Sequence, residues 1–260
     1  MAPDTTPPGM RLSEWLLLLT LSVLWGGSFF FGKVALQDLQ PLSIVLGRVA
    51  VAALALNVLL RLRGDRLPTR LAGWLPYLGM GALNNLVPFS LIFWGQTRIG
   101  SGLAAILNAT TPLFTVALAP VLAGERLTGG RLGGVLAGLA GVAVLVGPEA
   151  LAGLGREALA EVAVLGAALS YAFAGYFGRR FRGQPPLVTA TGQLTATTAM
   201  VLPVALLVDR PWRDAALTAP TWGAMVGLGL LSTALAYVIY FRLLATAGSP
   251  TSCWSPSSSR

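Results

Sequence analysis

The spacing of its charges constrains this chain more than any other feature. Charged residues fall in clusters, separated by eight nearly uncharged stretches at residues 15–36, 41–60, 71–96, 101–123, 132–147, 162–178, 186–208 and 220–245. A bilayer core about 30 Å thick is crossed by roughly 20 apolar residues at about 1.5 Å of rise each, so the pattern predicts eight membrane helices. The stretches at 132–147 and 162–178 are short, but Gly and Ala let helices approach closely and flanking Arg or Glu can reach outward to water. Hydrophobic residues make up 55% of the chain and charged ones 11%, against about 25% charged in a soluble domain. One soluble core cannot hide that much apolar surface, and the chain reads as an all-α integral membrane protein.

The formal charge of +8 comes from basic residues scattered between apolar stretches, which points to topology and away from nucleic acid. With the N-terminus in the cytoplasm, the inner segments carry Arg11, Arg61, Arg63, Arg66, Arg70, Arg126, Arg131, Arg179, Arg180 and Arg182. Opposite them lie Lys33, Arg98, Arg156, Arg210 and Arg213. Ten inside against five outside predicts a multi-pass protein of the cell inner (plasma) membrane, N-terminus cytoplasmic. The outer segments also hold Asp38, Glu149, Glu157, Glu161, Asp209 and Asp214. That leaves no carboxylate deep within a span, so the protonatable group expected of a proton-coupled carrier is missing.

Residues 1–14 form a polar cytoplasmic tail. The stretch that follows is too long and too aromatic for a signal-peptide core, so the N-terminus is expected to be retained. There is no His, and the sole Cys is Cys253. That composition argues against a zinc site, an iron–sulfur cluster, a Cys nucleophile or an internal disulfide, so neither cofactor nor metal is expected.

An internal repeat appears at an offset of about 145 to 148 residues. Trp25 through Lys33 aligns with Tyr171 through Arg179. Pro41-Leu42 and Gly47-Arg48 align with Pro186-Leu187 and Gly192-Gln193. Gly81, Asn84-Asn85, Phe93 and Gly100-Ser101 align with Gly229, Ser232-Thr233, Phe241 and Gly248-Ser249. Five spans separate equivalent helices, an odd number, so the second copy should be inverted in the membrane, as in many secondary transporters. After Gly100-Ser101 the first half continues for two helices, whereas after Gly248-Ser249 the chain enters a Ser/Pro-rich segment with no helical pattern. The expectation is a frameshift or truncation near Gly248. Residues 15–147 then form a complete five-helix repeat, 148–247 an incomplete repeat of three helices, and 248–260 an aberrant tail.

The segment Trp25-Gly26-Gly27-Ser28 through Lys33, then Arg48, then Leu107-Asn108-Ala109-Thr110-Thr111-Pro112-Leu113 through Gly124-Glu125-Arg126-Leu127, and Gln193 in the second half, resemble the EamA family of the drug/metabolite transporter superfamily. The resemblance covers about residues 12–247. It implies a ten-helix bundle built from two inverted five-helix repeats, of which eight helices are present. It also implies a carrier of small metabolites, such as amino acids or amphipathic compounds, working in the export direction.

Several polar residues within the spans are candidates for substrate binding or gating. Arg48 lies in an apolar stretch, where a charge costs about 2.5–3.5 kcal/mol, so it should face the bundle interior or a watery cavity. There it could attract a carboxylate, with Gln193 as its neutral counterpart, or simply pair with a helix carbonyl. Asn84 and Asn85, with Ser232 and Thr233 opposite them in the repeat, are satisfied by neighbouring helices or by substrate. Asn108, Thr110, Thr111 and Pro112 form a polar, helix-breaking patch suited to a gate, since broken backbone at membrane depth must be buried in protein or line a cavity. Trp25, Tyr171 and Tyr237 could stack on a substrate ring or cation, or pack as membrane aromatics do. Ser28 follows from the first motif. Glu125 reads as a loop ion pair, and Gly129, Gly130, Gly133, Gly134, Gly138 and Gly141 permit tight contacts within the bundle or in a homodimer. A truncated, inactive carrier or helix-packing partner is the rival reading. A membrane enzyme is the weakest, for want of His, usable Cys and clustered carboxylates.

Overall fold

A computed structural model of the chain describes residues 11–125, 128–152, 156–211 and 217–247, with side chains described outside 145–152, 156, 241 and 244–247. Expectations for residues 248–260 lie outside that range. Among the described residues there are helices and no strands.

Helix α1 (Leu12–Ala35) starts where the Arg11 backbone N–H donates to the Glu14 carboxylate at 2.9 Å, which satisfies one of the helix's orphan donors. Its start lies three residues before the expected Trp15. Helix α2 (Pro41–Leu62) opens on a proline, whose missing N–H costs nothing at a first turn. The third span holds a 3-10 turn (Leu71–Trp74), α3 (Leu75–Gly81), a π-helical turn (Ala82–Leu86) and α4 (Val87–Gln96). Pro88 explains the π turn: it has no N–H, and its ring excludes the Asn84 carbonyl from the ordinary helical register.

The fourth span is broken, as the polar patch predicts, into α5 (Ser101–Asn108) and α6 (Thr111–Ala123). Pro112 cannot donate to the Asn108 carbonyl, and the Thr111 hydroxyl does so instead at 2.8 Å. Gly124, at φ 66°, ends α6 in the left-handed conformation. Next come α7 (Gly129–Ala152), α8 (Arg156–Phe177) with a 3-10 turn (Gly178–Phe181), and α9 (Pro186–Val208). The last span joins α10 (Ala219–Val226), a second π turn (Gly227–Leu235) and α11 (Ala236–Ala247).

Among the described residues seven helical segments are long and apolar enough to cross a membrane, and Gly129–Val144 adds a shorter apolar helix. Large apolar side chains point outward, Val121 at 81% and Val144 at 82% exposure, which only a hydrocarbon surrounding accommodates. The chain is an all-α, multi-pass membrane protein. Its core is an apolar cluster that includes Ile44, Val45, Val49 and Leu56 of α2, Phe89 and Phe93 of α4, Leu194 of α9 and Leu228 of the last span.

Helix α2 packs along α9, α4 along α8, and α1 against the last span. Gly81 lets the third span close on α9: a Cβ there would stand 2.8 Å from the Gln193 carbonyl oxygen. The ends of the bundle follow from the contacts. Lys33 Nζ donates to the Gln96 carbonyl at 2.7 Å, just before the fourth span begins, whereas Arg179 pairs with Glu125 at 3.5 Å, just after that span ends. Lys33 and Arg179 therefore stand at opposite ends. Asp209, at the end of α9, accepts from the backbone N–H of Ser43, at the start of α2, so these two helices run antiparallel.

One expectation is corrected. Glu161 does not lie in a loop before the sixth span, because α8 already begins at Arg156 and takes in the acidic turn, which the positive helix N-terminus favours. Glu161 is 8% exposed and lies within the membrane-length segment Glu157–Phe181.

Candidate functional site

Six of the candidate residues meet in one buried network between α2, the third span, α9 and the last span. Arg48, on the buried face of α2, donates through Nε to Thr233 Oγ1 at 2.8 Å and lays its guanidinium over the Phe89 ring at 3.8 Å. Thr233 can accept because its own hydroxyl proton goes to the Leu228 carbonyl at 2.8 Å, five residues back, a partner that the second π turn creates. The Nη groups of Arg48 have no hydrogen-bond partner among the described residues. They remain available to an anionic group.

Beside this pair, Asn84 Nδ2 donates to Gln193 Oε1 at 3.0 Å and to the Tyr237 hydroxyl at 2.7 Å. The Tyr237 hydroxyl donates in turn to Asn85 Oδ1 at 3.2 Å. Asn85 Nδ2 reaches Thr197 Oγ1 at 3.3 Å, and Thr197 donates to the Gln193 carbonyl at 2.7 Å. The first π turn has a direct part here: by shifting register it presents both Asn84 and Asn85 inward, where an α-helix would turn successive residues by about 100°. It also presents the Leu83 carbonyl, which Ser170 of α8 caps at 2.7 Å. Tyr171 packs against the same core and lies within electrostatic reach of Arg48. Ser232 is buried with no partner for its Oγ.

The other candidates stand apart. Trp25 is 42% exposed and packs on Tyr240 at 5.7 Å between ring centroids, and the Ser28 hydroxyl bonds back to the Trp25 carbonyl. The hydroxyls of Thr110 and Thr111 are used on the carbonyls of Leu107 and Asn108, Pro112 is exposed, and Asn108 Oδ1 is buried without a partner. Glu125 forms its ion pairs, at 3.5 Å to both Arg131 and Arg179, in an exposed loop.

Sequence reasoning missed Phe89 and Thr197, although each stands four residues after a candidate, Asn85 and Gln193, and so on the same helical face. It also missed the arrangement of the two ends. A cavity of about 430 Å³ is lined by Leu56, Leu59, Leu187, Ala190 and Val238, reaches Tyr237, and carries Arg63, Asp65 and Arg242 at the end where α2 stops and α9 begins. At the opposite end two carboxylates tie elements together. Asp209 accepts from Ser43 N at 2.7 Å and Ser43 Oγ at 3.1 Å. Asp38 accepts from Thr218 N at 3.0 Å and from the hydroxyls of Thr218 and Thr221 at 2.6 Å each, at the start of α10. Hydrogen bonds from Thr218, then Thr221, hold the Asp38 carboxyl below the usual carboxylate range. Among the described residues no group of three His, Cys, Asp or Glu comes together.

Residues 12–147 and 158–254 match the EamA-like transporter family. A probable terminal-alkyne amino-acid exporter of Streptantibioticus cattleyicolor is 29% identical over 238 residues, covering 88% of this chain and 76% of that protein. The uncharacterized transporter YoaV of Bacillus subtilis (strain 168) is 24% identical over 228 residues, covering 87% and 78%. A probable amino-acid metabolite efflux pump of Escherichia coli (strain K12) is 27% identical over 172 residues, which span 66% of this chain and 55% of that one. One solved crystal structure superposes with a TM-score of 0.62 at 23% identity, over 89% of this chain and 78% of that chain, and shares the fold. With matches in both halves and a helical membrane fold, the chain belongs to the EamA-like transporter family.

Proposed function

We propose that this membrane protein is a carrier of small metabolites, amino acids or amphipathic compounds, that exports them by alternating access. Arg48 and the Asn84–Gln193–Tyr237 network form its substrate surface. One observation carries the reading: Tyr237, a member of a polar network drawn from both halves of the sequence, lines a cavity that carries Arg63, Asp65 and Arg242, while Asp38 and Asp209 tie the Lys33 end. A carrier open to one side and closed to the other has this form.

Residues 15–147 and 148–247 act as two copies of opposite orientation, with Arg48 and Gln193 as the unlike pair at equivalent positions. The antiparallel run of α2 and α9 supports this, as do the π turns at Asn84-Asn85 and Ser232-Thr233. The exporter and efflux names of two relatives support the direction. The N-terminus and the cavity mouth face the cytoplasm, following the basic residues.

Counterflow in proteoliposomes, run with amino acids and with amphipathic amines lacking a carboxylate, tests the assignment. Arg48→Gln should weaken uptake of the carboxylate-bearing compounds about tenfold or more, the loss of one charge-assisted contact, and spare the amines. Equal kinetics for both classes in both proteins would remove Arg48 from the site.

A further inference from the structure

Glu161 is a buried carboxylate that the substrate network does not use. It lies in the second turn of α8, at the Lys33 end. Only 8% of the residue is exposed, and Oε2 is sealed from solvent and has no hydrogen-bond partner among the described residues. Among the described residues it forms no ion pair.

Helix α8 presses so closely on α4 here that a Cβ on Gly95 would stand 2.7 Å from Val164 Cγ2 and 3.1 Å from the carbonyl oxygen of Ala160, the residue before Glu161. Leu107 and Ala160 belong to one apolar cluster. The surroundings are apolar, and an ionised carboxylate, which only accepts, is the costliest form to bury there. A proton makes Glu161 a neutral donor.

Few charged groups face it. Lys33 is committed to the carbonyls of Gln96 at 2.7 Å and Ile99 at 3.5 Å, while Arg98 and Glu157 at the same end are exposed. The packed segments α4, α5, α6 and the first π turn carry no titratable side chain, and Arg131 of α7 lies at the far end against Glu125. The Glu149 side chain falls outside the described residues.

We propose that Glu161 is a proton-binding site that controls the Lys33 end of the bundle. Taking up one proton, the carboxylate becomes a carboxylic acid and α8 rests on Gly95 with that end closed. Releasing the proton to water leaves an anion that must be hydrated, which separates α8 from α4 and opens that end. Coupling of this switch to export rests on the carrier reading above; the proton site itself does not.

The full chain in lipid nanodiscs, carrying Cys253→Ser and Ala160→Cys, tests the site without transport. Infrared difference spectra follow the carboxylic acid band against pH, and a water-soluble maleimide follows the accessibility of position 160. Across the titration the band should disappear, and labelling, taken at every pH relative to an exposed reference Cys so that the thiolate's own pH dependence cancels, should rise by up to about tenfold per pH unit, as linkage to one proton requires. Glu161→Gln should lose the band and label slowly at every pH, while Glu161→Asp should retain a titrating band. The same band and the same pH-dependent labelling in Glu161→Gln would overturn the proposal. So would labelling that follows sodium concentration at fixed pH, which would mark a metal-cation site. Switching in labelling without flux in any preparation would keep the proton site and reject the carrier.

Discussion

Replacing Thr233 with valine keeps the shape of the side chain and removes the oxygen that receives Arg48 Nε at 2.8 Å. It also deprives the Leu228 carbonyl of its 2.8 Å partner. Interhelical hydrogen bonds in membranes are worth about 0.6 kcal/mol on average and about 1.7 at most, while a charged partner raises a bond to about 1.5–3 kcal/mol. The Arg48 bond therefore sits near 1.5 kcal/mol, the Leu228 bond below about 1, and Thr233→Val should destabilise the fold by about 2 kcal/mol. Arg48→Met is expected to be much milder. It relieves about 2.5–3.5 kcal/mol of intramembrane charge burial and gives up the Thr233 bond and a contact over Phe89 worth about 0.5–2 kcal/mol, so the two sides nearly cancel. The double variant isolates the pair: a coupling energy of about 1.5 kcal/mol is expected from reversible unfolding in bicelles. A coupling below about 0.5 kcal/mol would show that Arg48 and Thr233 do not support each other.

The tie at Asp38 predicts a pH dependence with a definite sign. Its carboxyl is held below the usual range by Thr218 and Thr221, so its contribution is present above the unfolded carboxyl value of about 3.9 and is lost as pH falls through the lower folded value. Stability of the wild type should hold from neutral pH to about 4 and fall below it, and Asp38→Asn should flatten that acid limb; equal acid limbs in the two proteins would refute the assignment. For topology, Lys33→Cys and Arg179→Cys, each in a Cys253→Ser chain, should react with an impermeant maleimide from opposite faces of oriented vesicles. Reaction from one common face would contradict the inverted repeat.

The all-α, multi-span pattern, the break at Thr110-Thr111-Pro112 and six residues of the polar network were legible in the sequence, because membrane length and the cost of polar groups in lipid act on the chain locally. A run of apolar residues must be helical in hydrocarbon, and a proline removes one of that helix's hydrogen bonds, wherever the neighbours stand. Which candidates meet was decided by tertiary structure alone. Trp25 and Tyr237 read alike as membrane aromatics, yet Trp25 packs at the surface on Tyr240 while the Tyr237 hydroxyl joins Asn84 and Asn85. The second π turn, which aims Thr233, depends on a register shift that no proline marks in the sequence. Glu161 shows the limit best. By sequence it belongs to a charged segment outside the bilayer, and it becomes a buried residue because α8 starts a turn and a half earlier and packs on α4 at Ala160 and Val164, the residues flanking it on that helix. Burial is a property of what packs against a residue, and a linear pattern holds only the residue's side of that contact.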